Sequence, residues 1–421
     1  MLRPHIPGLA ARPPPLIGTG SAADTVDVTS AARAGRGPRR VLVLQAGARP
    51  GPWTCRSLAT AGHAVVAAHD GRSGGLRGTS RWAPGPLRSP SPEVEAEGYV
   101  DWLRTVVESL AIDVVVPATE GVTHLIADMP DLGRARRAGP DRRVYRALCD
   151  KDGLAVTAAA AGVLSPRGVV LGPLGGGGPL PAAPCIVKPV SSSTPHGGRV
   201  VYAQAVAAAT DAERDAAVER IITATGAAVV QEVVRGTRWR LHVARGATGM
   251  VGVAWRTVRS HPRDTGMSSV SAVAPVPAAL GDAVARLLRV ADYRGVGSIQ
   301  VFETADGWVV HDANLRPVFT TGASLRAGFD LPRMAVDVAM GGEPRLEGRV
   351  RPVRYVWLTG ELQEGIRAIA RGDAADAARA LGDVAGAALL PRRVLDPTDP
   401  RVVADILAGA LARARARRTA G

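Results

Sequence analysis

Cysteine, aromatic side chains and long apolar runs are all scarce in this chain, and each shortage removes a class of protein. Cys55, Cys149 and Cys185 are the three cysteines of 421 residues. Odd in number, far apart and without a C-x-x-C pair, they indicate neither a disulfide framework nor a zinc site. A reducing, cytoplasmic setting is the expectation. No apolar run approaches the roughly 20 residues needed to span a bilayer, so no membrane partner is expected. Arg39-Arg40 precedes VLVLQ, a run too short for the apolar core of an export signal and better read as a buried strand. Aromatics make up 4% of the chain, which leaves few stacking platforms for single-stranded nucleic acid. The formal charge of +14 is carried almost wholly by arginines spread among abundant Ala, Gly and Pro. We read it as a compositional excess and expect no nucleic-acid partner, although salt-dependent binding of DNA or RNA is the alternative that such charge raises.

The familiar phosphate fingerprints are also missing. The turn Gly47-Ala48-Arg49 lacks a full G-x-G-x-x-G, and Asp70 at the end of the next strand does not replace it, so a packing turn is expected. The Gly-rich stretch over 171–184 lacks the G-K-[ST] ending of a phosphate loop and reads as a flexible linker.

What is present is a chain of two or three domains with a hydrophobic content of 46%. Residues 1–38, rich in Pro, Gly, Ala and Arg, read as a disordered leader. From Arg39 a strand, a helix-like PWTCRSLATAG and a second strand ending at Asp70 form a βαβ unit. The helix EGYVDWLRTVVESL and the buried strand IDVVVPATE complete a small doubly wound domain over 39–138, with Glu120 in a loop that can face a substrate. After the basic connector RARRAGPDRRVYRALC, Asp150-Lys151 opens the helix KDGLAVTAAAAG. Strand CIVKP then carries Lys188 at the end of an apolar run, where a cation is costly unless it meets an anion. The small hydroxylated residues Ser191, Ser192 and Ser193 begin SSSTPHGG, a flexible segment suited to folding over phosphates.

The segment over 297–317 reads as two strands, SIQVFE and WVVHDA, joined at a D-G turn. Gln300 sits on the first strand, and Asp312 and Asn314, two apart on the second, share a face. Oxygen ligands that leave positions for phosphate oxygens suit Mg²⁺ carrying a nucleoside triphosphate. Arg316 follows on the same face, able to hold a phosphoryl group or a carboxylate. Arg240, His242 and Arg256 fall on the strand pair TRWRLHVARGATGMVGVAWRTV. All three fall on strands expected to line the cleft; Arg256, beside VGVAW, is the one expected to serve there, and His242 is expected to be a satisfied polar residue.

Lys151, Lys188, Glu232, Gln300, Asp312, Asn314 and Arg316, in this order behind a doubly wound domain, resemble the signature of the ATP-grasp superfamily of carboxylate-amine ligases. The Gln at 300 resembles the carbamoyl-phosphate synthetase large-subunit branch. The resemblance covers about residues 39 to 345 and implies an α/β and α+β chain. A pre-ATP-grasp domain is followed by a two-subdomain ATP-grasp fold over 139–347 and a strand and helical extension over 348–421. It implies ATP and Mg²⁺ (or Mn²⁺) as cofactors, with Gln300, Asp312 and Asn314 as metal ligands. Lys151, Lys188, the serine loop, Glu232 and Val234 would be nucleotide contacts, and Arg256 and Arg316 catalytic cations. Asp312 stands where the family more often has Glu, and Arg238 where an acid commonly holds the ribose. The implied reaction activates a small carboxylic acid, expectedly an amino acid, as an acyl phosphate for attack by an amine or ammonia, in a chain that can form a homodimer. A non-catalytic ATP-binding partner is one alternative. A biotin-carboxylase-like enzyme is another, though the chain has no M-K-M carrier segment. On this reading Lys188→Ala or Asp312→Ala abolishes turnover without unfolding the protein.

Overall fold

The computed structural model describes residues 37–71, 81–172, 178–261 and 266–389. The leader up to residue 36, residues 173–177 of the Gly-rich stretch and the basic ARARARR near the end lie outside them. No helix among the described residues is long and apolar enough to cross a membrane.

The chain starts with a five-stranded parallel sheet whose first strand, Arg40–Leu44, lies at its centre. It pairs with Ala64–His69 on one side and Val114–Pro117 on the other. Because side chains alternate across a strand, Val41 and Val43 pack with Cys55 and Leu58 of the helix Gly51–Thr60. Leu42 and Leu44 pack on the other face, against Tyr99, Leu103, Val122 and Ile126 of the helices Ala96–Ser109 and Glu120–Asp128. Helices on both faces of a parallel sheet make the doubly wound arrangement. Gly51 makes the first turn tight: a Cβ there would lie 2.1 Å from the Ala46 carbonyl oxygen.

Two antiparallel sheets follow. The smaller has the order Val206–Ala208, Cys185–Pro189, Ala228–Glu232, Gly168–Leu171. The helix Asp211–Thr225 covers it, capped by the Thr210 hydroxyl accepting from the Glu213 N–H and ended by Gly226 at φ 84°. The larger sheet runs Gly307–Asn314, Gly295–Thr304, Thr237–Arg245, Met250–His261, Met267–Ala274, Arg354–Val356. Its outer face packs on the helices Lys151–Ala160 and Ala278–Val290. Much of its inner face packs on the N-terminal domain and the helix Leu331–Ala339. A cleft opens between the two antiparallel sheets.

The structure departs from the sequence expectations of local structure at four places. Glu120, expected in a loop, opens the helix Glu120–Asp128. The basic connector contains a helix, Arg142–Leu148, whose first turn is capped by Asp141 accepting from the Val144 N–H at 2.8 Å. The serine segment is a two-stranded hairpin, Ser193–His196 with Arg199–Tyr202, turned by Gly197 and Gly198 at φ 58° and 74°. It docks on the N-terminal domain through Ala96 N–H to the Gly198 carbonyl and Val200 N–H to the Pro92 carbonyl, both 2.8 Å. Of VRYVWLTG only Arg354–Val356 is strand, and it joins the edge of the large sheet before the helices Leu358–Ala370 and Ala374–Leu389. Arg259 on that sheet pairs with Glu361 and Asp383 of the two helices and holds them there.

Candidate active site

The strands Gly295–Thr304 and Gly307–Asn314 pair with Gln300 opposite Asp312, but Val301 lies opposite Val310. His311 is therefore an extra residue, a bulge that bends the strand. Both His311 and Asp312 consequently line the cleft. Asp312 is saturated with donors: Oδ1 accepts from Lys151 Nζ at 2.6 Å, and Oδ2 from Gln300 Nε2 at 2.7 Å and Asn314 Nδ2 at 2.8 Å. Burial works to raise its pKa, but Lys151 outweighs it and Asp312 is held down at about 2. Lys151 is 6% exposed and also donates to the Cys149 carbonyl at 3.1 Å. Its burial is outweighed by Asp312, so its pKa stands above the ordinary value.

Lys188 enters from the small sheet and has no hydrogen-bond or ion-pair partner among the described residues. Burial, reinforced by Lys151, pushes its ammonium down to about 8. His311 beside it is pushed by burial and by Lys188 to about 3, so its imidazole is neutral at pH 7.

The polar chain continues from Asn314. Arg316 donates to Asn314 Oδ1 at 3.3 Å and to Glu120 Oε2 at 3.1 Å. The Tyr145 hydroxyl donates to Glu120 Oε1 at 2.9 Å and lies 3.1 Å from the Ser191 hydroxyl. Glu120 from the first domain, Arg316 just past the strand Gly307–Asn314 and Ser191 just ahead of the docked hairpin thus meet at one junction. Ser192 lines the cleft, while Ser191 and Ser193 are buried beside it.

At the far end the cleft is lined by Ile186, Glu232, Val233, Val234, Phe302 and His311. The Phe302 and His311 rings lie 4.6 Å apart. Glu232 turns its carboxylate to Arg167, accepting from the side-chain Nε at 2.9 Å and the backbone N–H at 3.0 Å, which lowers its pKa. Arg238 lines the cleft and donates to the Gly266 carbonyl at 2.6 Å.

Arg256 does not reach the cleft. It is exposed and in register with Trp239, whose face of the sheet packs on the helix side. Strand alternation gives the inward place to its neighbour Trp255, opposite Arg240. Arg240 is the cleft-facing arginine: it is 7% exposed and donates to Ser271 Oγ at 2.7 Å. Burial lowers its pKa to about 10, which leaves it charged at pH 7. His242 is fully buried, with its ring nitrogens 2.7 Å from Ser324 Oγ and 3.3 Å from Thr320 Oγ1. It is a satisfied core histidine.

Composition carried a signal that motif reading passes over. Lys151 and Lys188 are the two lysines among 52 basic residues, and Asn314 is the single asparagine of the chain. All three lie in or beside the cleft. An arginine-rich chain that keeps its compact ammonium groups here marks the place where a planar, bulkier guanidinium does not serve.

No protein-family profile and no curated protein matches the chain. Solved structures do. The chain is similar to an L-amino acid ligase from Bacillus licheniformis (TM-score 0.58, 14% identity, 76% of this chain and 79% of that one). It is also similar to a biotin carboxylase from Campylobacter jejuni in complex with β,γ-ATP (TM-score 0.57, 14% identity, 76% and 75%). An N5-carboxyaminoimidazole synthetase from Staphylococcus aureus matches at TM-score 0.55 and 13% identity, over 76% and 83%. At such identities the likeness speaks for architecture alone. A parallel-sheet first domain, two antiparallel sheets around a cleft and the order of the lysines and the hairpin within them agree with it: the chain has the ATP-grasp fold.

Proposed function

We propose that this protein is an ATP-dependent, ADP-forming ligase that phosphorylates a small carboxylic acid and couples the acyl phosphate to an amine. The observation that carries the reading is Lys188, a half-buried ammonium with no anion in hydrogen-bond or ion-pair contact among the described residues, facing a cleft of about 360 Å³ next to the Lys151–Asp312 pair. A buried cation is held at a cost unless an anion completes it, and a polyphosphate is the anion that a cleft of this shape takes.

In this reading the Phe302 and His311 rings and Ile186 flank the base, and the backbone around Glu232 and Val234 meets its edge. Lys188 binds the phosphates, while Lys151 leaves Asp312 and turns to them when they arrive. The donor set is one carboxylate and two amides, and no cluster of three acidic, His or Cys residues occurs among the described residues. That set fits Mg²⁺, which commonly takes one or two carboxylates plus substrate phosphates. Asp312 would be a ligand, with Gln300 and Asn314 presenting their amide oxygens after rotation. The metal, when bound, neutralises charge on the transferring phosphoryl group. Arg316 stabilises the equatorial oxygens, and Glu120, which restrains Arg316, stands where the acid or the amine approaches. The docked serine hairpin keeps water from the acyl phosphate.

The test is ADP release with Mg²⁺ and ATP against pools of amino acids and small carboxylic acids, with and without hydroxylamine. The expected result is ADP together with a hydroxamate of one acid. Tight ATP binding with no ADP from any pool would overturn the ligase reading in favour of a nucleotide-binding protein.

A further inference from the structure

Against Phe319, at the wall of the cleft, stands a group of side chains that the nucleotide does not account for. Phe319 and Arg240 line the same cleft as Lys188. Tyr355, 1% exposed, packs its ring edge-on to Phe319 at 6.3 Å. Arg49, in the first turn of the N-terminal domain, lays its guanidinium over two rings, 5.1 Å from that of Trp357 and 5.9 Å from that of Phe319. Stacking occupies the faces of a guanidinium and leaves its N–H edge free, which is the edge that grips a carboxylate in a bidentate pair.

Arg240 approaches from the other side of Tyr355. Its Nη2 donates to Ser271, and Ser271 is in register with Tyr355 on the next strand. Among the described residues neither arginine has a carboxylate partner. Arg240 Nε and Trp255 Nε1, opposite each other across two strands, are buried donors with nothing to donate to. Buried donors normally find acceptors, so an unpaired buried cation with an orphan N–H of its own and a second orphan donor beside it point to an anionic ligand. The place begins beside the metal-ligand hairpin, where Arg240 is in register with Gln300, and extends away from it across the sheet. From the strand of Gln300 to that of Ser271 there are three strand spacings in the sheet, on the order of 14 Å. Its walls come from three parts of the chain: Arg49 from the first domain, Phe319 from the central fold, Tyr355 and Trp357 from the C-terminal extension.

We propose that Arg49 and Arg240 form a carboxylate anchor for the small-molecule substrate, which therefore carries a carboxylate besides its reacting group, as a dicarboxylic acid does, or an α-amino acid that reacts through its amine. This deepens the ligase reading and rests on it for the substrate's fate, though not for its binding. The C-terminal extension is then part of the specificity pocket, since without Tyr355 and Trp357 the guanidinium of Arg49 loses one stacking partner and the pocket one wall.

The test compares free acids with their carboxamides on the full-length protein. Pools of L-amino acids and of dicarboxylic acids, and the corresponding amides and monoamides, are assayed for ADP release. They are also titrated calorimetrically in the presence of Mg²⁺ and a non-hydrolysable ATP analogue. The anchor predicts that acids act and bind while amides are at least tenfold weaker. It also predicts that Arg49→Ala raises the half-saturating acid concentration at least tenfold with ATP affinity unchanged, and that Arg49→Lys falls between. Which pool responds tells an amino acid from a dicarboxylate. Binding of acids that Arg49→Ala abolishes, with no ADP under any condition, would leave the anchor standing and remove the ligase. Amides as effective as acids, an unchanged response in Arg49→Ala, or no calorimetric binding of any acid would overturn the anchor. Arg49 is exposed, so its replacement does not put folding at risk; Arg240→Met, made alongside, is read only if ATP still binds.

Discussion

Lys151 and Lys188 approach the same corner of the cleft, yet they are held in opposite ways. Lys151 starts a helix that packs under the large sheet and reaches Asp312 at 2.6 Å, where the pair shares its burial. Lys188 leaves the small sheet and meets no anion among the described residues. The electrostatic consequence is a split, with Lys151 above its ordinary pKa and Lys188 down to about 8. Without nucleotide the paired ammonium is part of the scaffold, whereas the unpaired one is held at a cost to stability, which is why the proposed reading gives it the phosphates.

The comparison breaks most visibly at Asp312. Asp312→Ala removes the partner and leaves Lys151 buried with an uncompensated charge, a loss of about 3–5 kcal/mol by the behaviour of such pairs. This revises the expectation, drawn from the motif alone, that the alanine variant stays folded while inactive. Denaturation midpoints measured without nucleotide check it, and Lys151→Met combined with Asp312→Leu is expected to recover most of the loss without recovering turnover. If Asp312→Ala alone denatures like the wild type, the pair is not structural.

Lys188→Met is predicted to do the reverse. It removes the cation that the proposed reading assigns to the phosphates, so on that reading ATP turnover falls by about 10²-fold or more, the usual scale for a lost preorganised charge. Without nucleotide it also removes the penalty of a half-buried ammonium, and the protein gains about 1–2 kcal/mol. A variant that lost both activity and stability would mean that Lys188 has a counter-charge after all.

Titration sharpens the same contrast. Asp312 sits at about 2, below its ordinary 3.8, so the stability it contributes is fully present above about pH 4 and is lost as pH falls toward 2. Lys188 sits at about 8, below its ordinary 10.5, so its penalty is present below pH 8 and is relieved as pH rises from 8 to 10.5. The wild type is therefore expected to close the stability gap to Lys188→Met between pH 8 and 10.5, while its affinity for ATP declines as Lys188 loses its proton. A gap that stays constant over this range would show that Lys188 does not titrate there.

These contrasts also explain what the sequence could carry. Period-two alternation found the hairpin of residues 297–317 and put Asp312 and Asn314 on one face, because strand geometry is local. It missed the bulge at His311, since an extra residue is defined by the partner strand and leaves no mark on its own. The same blindness chose Arg256 over Arg240: both follow the alternation, and which face is inward depends on what packs behind it. The junction of Glu120, Tyr145, Arg316 and Ser191 joins residues up to 196 apart in the chain, and no spacing rule reaches that far.

The weakest member of the comparison is the pair at the other end of the cleft. Glu232 and Arg167 are 2.9 Å apart, as close as a buried pair, but the Arg167 side chain is 89% exposed. Water screens such a contact, so it adds little to stability. Its effect is positional: it turns the Glu232 carboxylate onto Arg167 and leaves the neighbouring backbone at the cleft. Arg167→Ala is expected to leave the denaturation midpoint unchanged and to shift ATP affinity by about threefold or less, while discrimination between ATP and GTP changes as Glu232 becomes free to meet the base. Equilibrium binding of the two nucleotides to both proteins measures this. A large loss of ATP affinity would mean that Arg167 itself touches the nucleotide, and the distinction between a screened surface pair and a buried structural one would then fail at this end of the cleft.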